Sequence, residues 1–211
     1  FVLMVFVLAA LTGKAVASDA ATKCDELAGY QWEAGHAGRG VEWDMVETAP
    51  AIVACRAALR ESPNAAEIQF RLGRTLLQDK QYDEAISLLR QSAEAGYSAA
   101  QAAYGTAFTR GTGVQLDYAT ANEWLFKAAE QDNPVAINNL AVAYTYGQGV
   151  SADLVKAFEL TAKAAELGYP LAMYNLATSY EYGKGTAPDF AKALEWNRKA
   201  VAAGQVMGYR G

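Results

Sequence analysis

The sequence predicts an all-α fold, a solenoid in which similar helix-turn-helix units stack one after another. The first supporting observation is a repeat with a period of 36 residues across residues 98–205. The second is composition, because the chain is rich in alanine and has only five prolines in 211 residues. Alanine has the highest helix propensity, whereas proline breaks the helical hydrogen-bond ladder. The third is an apolar content of 52% with 19% charged residues, which argues against disorder.

The charge balance narrows the classes of partner. The formal net charge is −5, whereas proteins that bind nucleic acid need a basic patch or stripe. We therefore expect no nucleic-acid partner. Mild acidity keeps a protein soluble and says little else about what it binds.

The chain begins with an apolar segment of the kind that directs export. Residues 1–11 read FVLMVFVLAAL, and the small-residue site Ala15-Val16-Ala17 follows. This pattern is typical of a secretory signal peptide, so we expect one at residues 1–17 and a mature chain that starts at Ser18. The apolar run is shorter than the roughly 20 residues of a spanning helix, although an uncleaved membrane anchor stays open as the alternative. After cleavage we expect no membrane insertion and a periplasmic or secreted protein.

Export changes how the two cysteines are interpreted. Cys24 and Cys55 are the only cysteines of the chain, and two thiols in an oxidising compartment usually pair. A disulfide between them would close a loop of about 30 residues and stabilise the fold by roughly 3 to 4.7 kcal/mol in the chain-entropy model. The alternative is two separate buried thiols.

Each repeat is expected to form two helices joined by a glycine-containing turn. The first helix has apolar residues at helical spacing, such as Ile137, Leu140 and Tyr144. It stops at a Gly-x-Gly sequence, where glycine can adopt the left-handed conformation that ends a helix. An Asp four residues after the second glycine is placed to cap the second helix. The coinciding positions are Gly111, Gly147 and Gly183, then Gly113, Gly149 and Gly185, then Asp117, Asp153 and Asp189.

This unit resembles the Sel-1-like repeat (SLR). The segment Gly111-Thr112-Gly113-Val114 with Asp117, and Trp124 with Lys127-Ala128-Ala129, follow the pattern of that family closely. The second copy lacks the family's Trp and the third lacks its Val, which are changes of packing. The resemblance implies a right-handed superhelix of stacked helix pairs whose first helices line an inner, concave face.

The region before the three repeats resembles a related, shorter unit. Leu72 lies 13 residues before Ala85, whereas the equivalent gap in the later copies is 17 residues, and the Gly-x-Gly turn accounts for the difference. Residues 49–97 therefore resemble tetratricopeptide repeats of 34 residues, as a half repeat followed by one full repeat.

The two ends of the solenoid lead to separate expectations. Residues 18–48 are expected to form an N-terminal capping segment, attached through Cys24, that covers apolar surface at the end of the stack. Residues 98–205 hold the three 36-residue repeats. Residues 206–211 are either the start of a further repeat or a ragged C-terminus.

Residue patterns for catalysis or metal binding are missing from the sequence. The single histidine, His36, lies in a glycine-rich stretch that we expect to be a loop, and one histidine cannot build a typical zinc site. No serine is followed three residues later by lysine, so the motif of penicillin-interacting serine enzymes is absent. We therefore expect no catalytic residue, no metal and no cofactor.

The candidate partner-binding positions follow from the resemblance to tetratricopeptide domains, whose groove is lined by set positions of each first helix. The row is mixed in charge and rich in Tyr, which suits an extended peptide or a partner helix. The alternative is that several of these side chains are simply solvated. The mapped positions are Phe70, Arg74, Gln78, Thr106, Arg110, Asn138, Val142, Thr145, Tyr146, Tyr174, Thr178, Glu181 and Tyr182.

Together these features favour a non-catalytic scaffold or adaptor that binds a peptide or protein partner in the periplasm or outside the cell. One alternative is an envelope structural protein whose tyrosines contact peptidoglycan or an exopolysaccharide. A less favoured alternative is a penicillin-binding or weakly β-lactam-hydrolysing repeat protein. Proteins of that kind with this repeat have a cysteine pair in each repeat, which this chain lacks.

Overall fold

A computed structural model describes residues 18–29 and 46–204. Within these ranges the chain forms ten α-helices and no strand, which confirms the predicted all-α solenoid. The expected signal peptide, the glycine-rich loop around His36 and residues 206–211 lie outside the described residues. The helices are α1 (Asp19–Ala28), α2 (Thr48–Glu61), α3 (Ala66–Gln78), α4 (Tyr82–Glu94), α5 (Ser98–Arg110), α6 (Tyr118–Ala129), α7 (Pro134–Tyr146), α8 (Leu154–Glu166), α9 (Pro170–Tyr182) and α10 (Phe190–Ala202).

Helices that follow each other in sequence pack together. The closest partners are α1 with α2, α3 with α4, α5 with α6, α7 with α8, and α9 with α10, and each pair packs against the next. The core is divided along the stack into small apolar clusters built largely from alanine and leucine, such as Ala128, Ala136 and Leu140. Because each pair depends mainly on its neighbours, stability is distributed along one dimension.

The Gly-x-Gly turn has the local structure that the sequence predicts. Gly147 ends α7 in the left-handed conformation, at φ 70°. The Asp153 backbone N–H then donates to the Tyr144 carbonyl at 2.8 Å. Its carboxylate accepts from the Lys156 backbone N–H at 3.0 Å and caps α8. Asp117 and Asp189 cap their helices in the same way, so the predicted caps are confirmed.

The second glycine of each turn has a tertiary role that local chemistry does not reveal. A Cβ placed on Gly149 would lie 2.7 Å from the backbone carbonyl atoms of Tyr118, at the start of α6 in the preceding repeat. The Asn122 side chain donates to the neighbouring Gln148 carbonyl at 2.8 Å. The turn of one repeat therefore rests directly on the helix of the repeat before it.

The aspartate caps predict a pH dependence of stability. Hydrogen bonds from Thr120 hold the pKa of Asp117 below its usual value, and the backbone N–H of Lys192 does the same for Asp189. A carboxyl whose pKa is lower in the folded state stabilises the fold above its unfolded pKa, and that stabilisation is lost as pH falls through its folded pKa. We expect the free energy of unfolding to fall below about pH 4. The double substitution Asp117→Asn with Asp189→Asn should flatten this fall, because Asn caps a helix without titrating.

Urea unfolding at pH 7, 4 and 3 checks this expectation. Glu123→Gln, which removes an exposed carboxylate from α6 without touching a cap, is the matched control. Equal acid sensitivity in the wild type and the double variant would contradict the role of the caps.

The N-terminal end of the stack is held covalently. A disulfide joins Cys24 in α1 to Cys55 in α2, and both residues are fully buried. The predicted bond is therefore confirmed. In addition, buried Arg71 in α3 forms an ion pair of 3.1 Å with Asp25 in α1. α1 packs against both α2 and α3, so this short helix covers the apolar side of the first repeat.

The opposite end is open in the described part of the chain. Phe190, Leu194 and Val201 form an exposed apolar stripe along α10. The equivalent stripe of α8 contains Ala165, which is buried against the following repeat. The two ends of the stack therefore differ, since one is closed by a disulfide-linked helix and the other is attached only through α9.

Candidate partner-binding surface

The first helices α3, α5, α7 and α9 form the candidate binding surface. α3 contacts α5 and α5 contacts α7, in addition to the contacts within pairs. Elements on the inner side of a curved stack lie closest together, so these contacts place the first helices on the inner side. All candidate positions lie on these four helices.

Three of the candidates are well exposed and occupy one position of successive repeats. Tyr146 and Tyr182 expose 70% and 65% of their surface, and Arg110 is exposed at the same position of α5. Each is the last residue before the left-handed glycine that ends its helix. The neighbouring Glu181 carboxylate raises the pKa of Tyr182, mainly by hydrogen bonding with its hydroxyl. These side chains form an exposed row of one cation and two aromatic rings.

Seven other candidates are partly exposed and lie between this row and the core. Several of their polar groups already have intrahelical partners; for example, the Thr145 hydroxyl donates to the Ala141 carbonyl at 2.8 Å. Their contribution to a partner surface would therefore come mostly from shape and apolar contact. These seven are Gln78, Thr106, Val142, Thr145, Tyr174, Thr178 and Glu181.

The remaining three candidates are almost completely buried, and burial argues against a direct contact with a partner. Phe70 is 1% exposed and packs in the core, with its ring centroid 5.6 Å from that of Tyr97. Arg74 is 4% exposed, and its Nη1 donates to the carbonyls of Ala28 at 3.1 Å and Gly29 at 3.5 Å. Arg74 therefore holds the end of α1 against α3.

Asn138 is 2% exposed and connects two repeats. Its side-chain oxygen accepts a hydrogen bond of 3.0 Å from the Asn175 amide. Asn139 in turn donates to the Thr106 hydroxyl at 2.9 Å. Sequence reasoning expected Asn139 and Asn175 to hydrogen-bond backbone groups, but both donate to side chains of the preceding first helix. These links fix the spacing of the inner helices.

A cavity of about 300 Å³ lies on this inner side, and sequence reasoning identified only part of its lining. Four candidates line it, although two of them are largely buried. The signal that could have revealed the rest is a set of small side chains spaced three and four residues apart along α5, which face the same way on a helix. The lining residues are Phe70, Arg74, Leu77, Ala99, Ala102, Ala103, Thr106, Ala107, Arg110, Thr112, Val135 and Tyr169.

No metal centre is visible in the described ranges. No three His, Cys, Asp or Glu side chains lie close enough there to hold a metal ion. None of the helices within these ranges has the length and apolar character that crossing a membrane requires. The buried disulfide fits a compartment outside the reducing cytoplasm.

Comparison with known proteins identifies the repeats. The Sel1 repeat model matches residues 98–133, 134–169 and 170–205. A tetratricopeptide repeat model matches residues 47–107. A search of curated proteins finds no match.

Solved structures show the same architecture. A protective antigen present in uropathogenic Escherichia coli strains, which displays an SLR fold, is 28% identical, with a TM-score of 0.63 over 74% of this chain and 34% of that chain. A Sel1 repeat protein from Oxalobacter formigenes is 27% identical, with a TM-score of 0.67 over 74% of this chain and 64% of that chain. This chain thus spans less than two thirds of the length of either protein. Because the three Sel1 matches cover more than half of the sequence and the fold agrees, the chain belongs to the Sel1 repeat family.

Proposed function

We propose that this protein is a non-catalytic scaffold that works in the periplasm or outside the cell and binds a peptide or protein on the inner face of its first helices. Sel1 and tetratricopeptide repeat proteins generally act as protein-interaction scaffolds. They are generally non-catalytic. The disulfide between Cys24 and Cys55 supports an exported location, together with the signal peptide expected from the sequence.

The observation that carries this proposal is the exposed row of Arg110, Tyr146 and Tyr182. Two large aromatic side chains one repeat apart, each well exposed, provide contact area with a polar end. Tyr and Arg are enriched among the residues that contribute most to protein interfaces. Beneath the row, the hydrogen bonds that join the first helices keep the spacing of the row fixed.

Photo-cross-linking tests the position of the site. We expect p-benzoylphenylalanine at Tyr146 or Tyr182 to cross-link a protein in the envelope fraction of the producing cell. The same group at Val155, an exposed apolar position on the second helix α8, is the matched control. In the triple substitution Arg110→Ala, Tyr146→Ala and Tyr182→Ala, capture of that partner should weaken by tenfold or more, since each contact residue of this type contributes on the order of 1 kcal/mol or more.

The same experiment separates the second candidate function. The two exposed tyrosines are also suited to stacking against sugar rings, so an envelope polymer is the alternative partner. Cross-links to peptidoglycan or polysaccharide, with no protein captured, would favour a structural role in the envelope. Equal protein capture by the wild type and the triple variant would show that the inner row is not the binding site.

A further inference from the structure

The cavity on the inner side follows the length of α5. Ala102 forms part of its floor, whereas the same position is occupied by Asn138 in α7 and by Tyr174 in α9. Most of the other floor positions of α5 are alanine as well. The inner surface is therefore hollow along α5 and filled along the next two first helices.

The floor and walls of the cavity are apolar. Thr106 is the one polar side chain in the middle of the floor, and its hydroxyl both donates to the Ala102 carbonyl at 2.7 Å and accepts from Asn139 at 2.9 Å. That hydroxyl is already satisfied, so it makes no demand on a ligand. Leu77 and Val135 form apolar walls on either side. An apolar side chain therefore fits this space better than a polar one.

The charge of the cavity is opposite to that of the chain. Its lining includes two arginines and no carboxylate, although the protein has 23 acidic and 18 basic residues. Arg110 is exposed at the C-terminal end of the cavity, and the ion pairs found within the described ranges involve other residues. A guanidinium in this position can bind a carboxylate through two parallel hydrogen bonds.

The helix sets the length of the ligand. Ala99 and Arg110 lie at opposite ends of the floor, and a helix rise of 1.5 Å per residue separates them by about 16 Å. An extended chain covers that distance with about five residues. Val135 and Tyr169 lie at the Ala99 end, because each is at the start of its first helix.

We propose that this cavity binds a short extended segment of a partner protein, with an acidic side chain at Arg110 and a large apolar side chain about five residues away at the Val135 end. The volume of about 300 Å³ is at the lower limit of ligand pockets, which suits a few side chains and excludes a whole helix. The inference rests on the proposed function, since it specifies the chemistry of the peptide that the inner face selects.

Selection from a random phage-displayed 12-mer library on the immobilised mature chain tests the inference. Enriched peptides are expected to have Asp or Glu four to six positions from a large apolar residue. A synthetic copy of the most enriched peptide, measured by fluorescence anisotropy, should bind at least tenfold more weakly after Glu→Gln or Asp→Asn, because a hydrogen-bonded charge contributes roughly 1.5–3 kcal/mol. Arg110→Glu should cause a similar loss. Arg198→Glu, an equal charge change at an exposed position of α10, should leave affinity within twofold.

A second variant tests the apolar part of the cavity. Ala103→Trp fills the floor and should abolish binding, with circular dichroism and the Tm showing that the variant is folded. Peptides without acidic bias, whose binding survives Arg110→Glu and Ala103→Trp but is lost in Tyr146→Ala with Tyr182→Ala, would overturn this inference and leave the proposed function intact. If no peptide is enriched and no protein cross-links to the inner row, both are overturned.

Discussion

Removal of the disulfide is expected to release the N-terminal helix while the repeats stay folded. In the double substitution Cys24→Ala with Cys55→Ala, the first helical unit should lose roughly 3 to 4.7 kcal/mol of stability by the chain-entropy model. α1 has ten residues, and helices shorter than about 12 residues are marginal on their own. The ion pair between Asp25 and Arg71 involves a half-exposed carboxylate, so it cannot replace the covalent bond.

Hydrogen exchange measures this effect helix by helix. Amides of α1 and the outer side of α2 should lose protection in the variant, whereas amides of α7 and α8 should not change, because distant units couple only through the units between them. The single substitution Ala57→Ser, at a partly exposed position of α2, is a control for small changes in that helix. Two free thiols in the unfolded, unreduced wild type, or unchanged protection of α1 in the variant, would show that the bond does not hold this helix.

The second large effect is expected at the glycine that rests on the preceding repeat. Gly149→Ala should destabilise the fold by roughly 2–4 kcal/mol, because a side chain meets both a strained backbone and an obstacle there. Gly149 has a φ of 70°, and an added Cβ would lie 2.7 Å from the Tyr118 carbonyl carbon and oxygen. A backbone carbonyl cannot rotate away as a flexible side chain can.

Gly168→Ala is a matched control for this prediction. Gly168 also has a positive φ, of 89°, but a Cβ added there meets nothing within 4 Å. It should therefore show only the backbone term, on the order of 1–2 kcal/mol. The difference between the two variants in urea unfolding isolates the close approach of the repeats. Equal losses in Gly149→Ala and Gly168→Ala would mean that the contact with Tyr118 relaxes at no cost.

The local features of the fold could be predicted from the sequence because neighbouring residues determine them. Gly147 ends a helix and Asp153 caps the next through hydrogen bonds within a few residues. The same chemistry recurs one repeat earlier and later, so the repeat reinforced each assignment. Cys24 and Cys55 could be paired because they are the only two cysteines in a chain with an apparent export signal. The contact of Gly149 with Tyr118 could not be predicted, since it depends on how two repeats stack.

The candidate site was predicted less completely than the fold. The positions came from a groove assumed to be open along every first helix. At Arg74 the end of α1 lies against the guanidinium instead, and at Asn138 the next first helix comes close enough to hydrogen-bond. Exposure depends on such neighbours, which a helical pattern does not contain. The cavity along α5 was missed for a related reason, because alanines alone do not indicate whether the surrounding helices leave a space above them.

The different attachment of the two ends gives the molecule a mechanical direction. Under a stretching load between its ends, α1 and α2 cannot separate beyond the Cys24–Cys55 bond, whereas α10 is attached to the rest only through α9. The stack should therefore peel from α10 backwards, one pair at a time, as in a zipper opened from one end. The cavity along α5 lies on the slow side of that process. A ligand bound there would be released late, so a scaffold built in this order can extend under tension and still hold its partner.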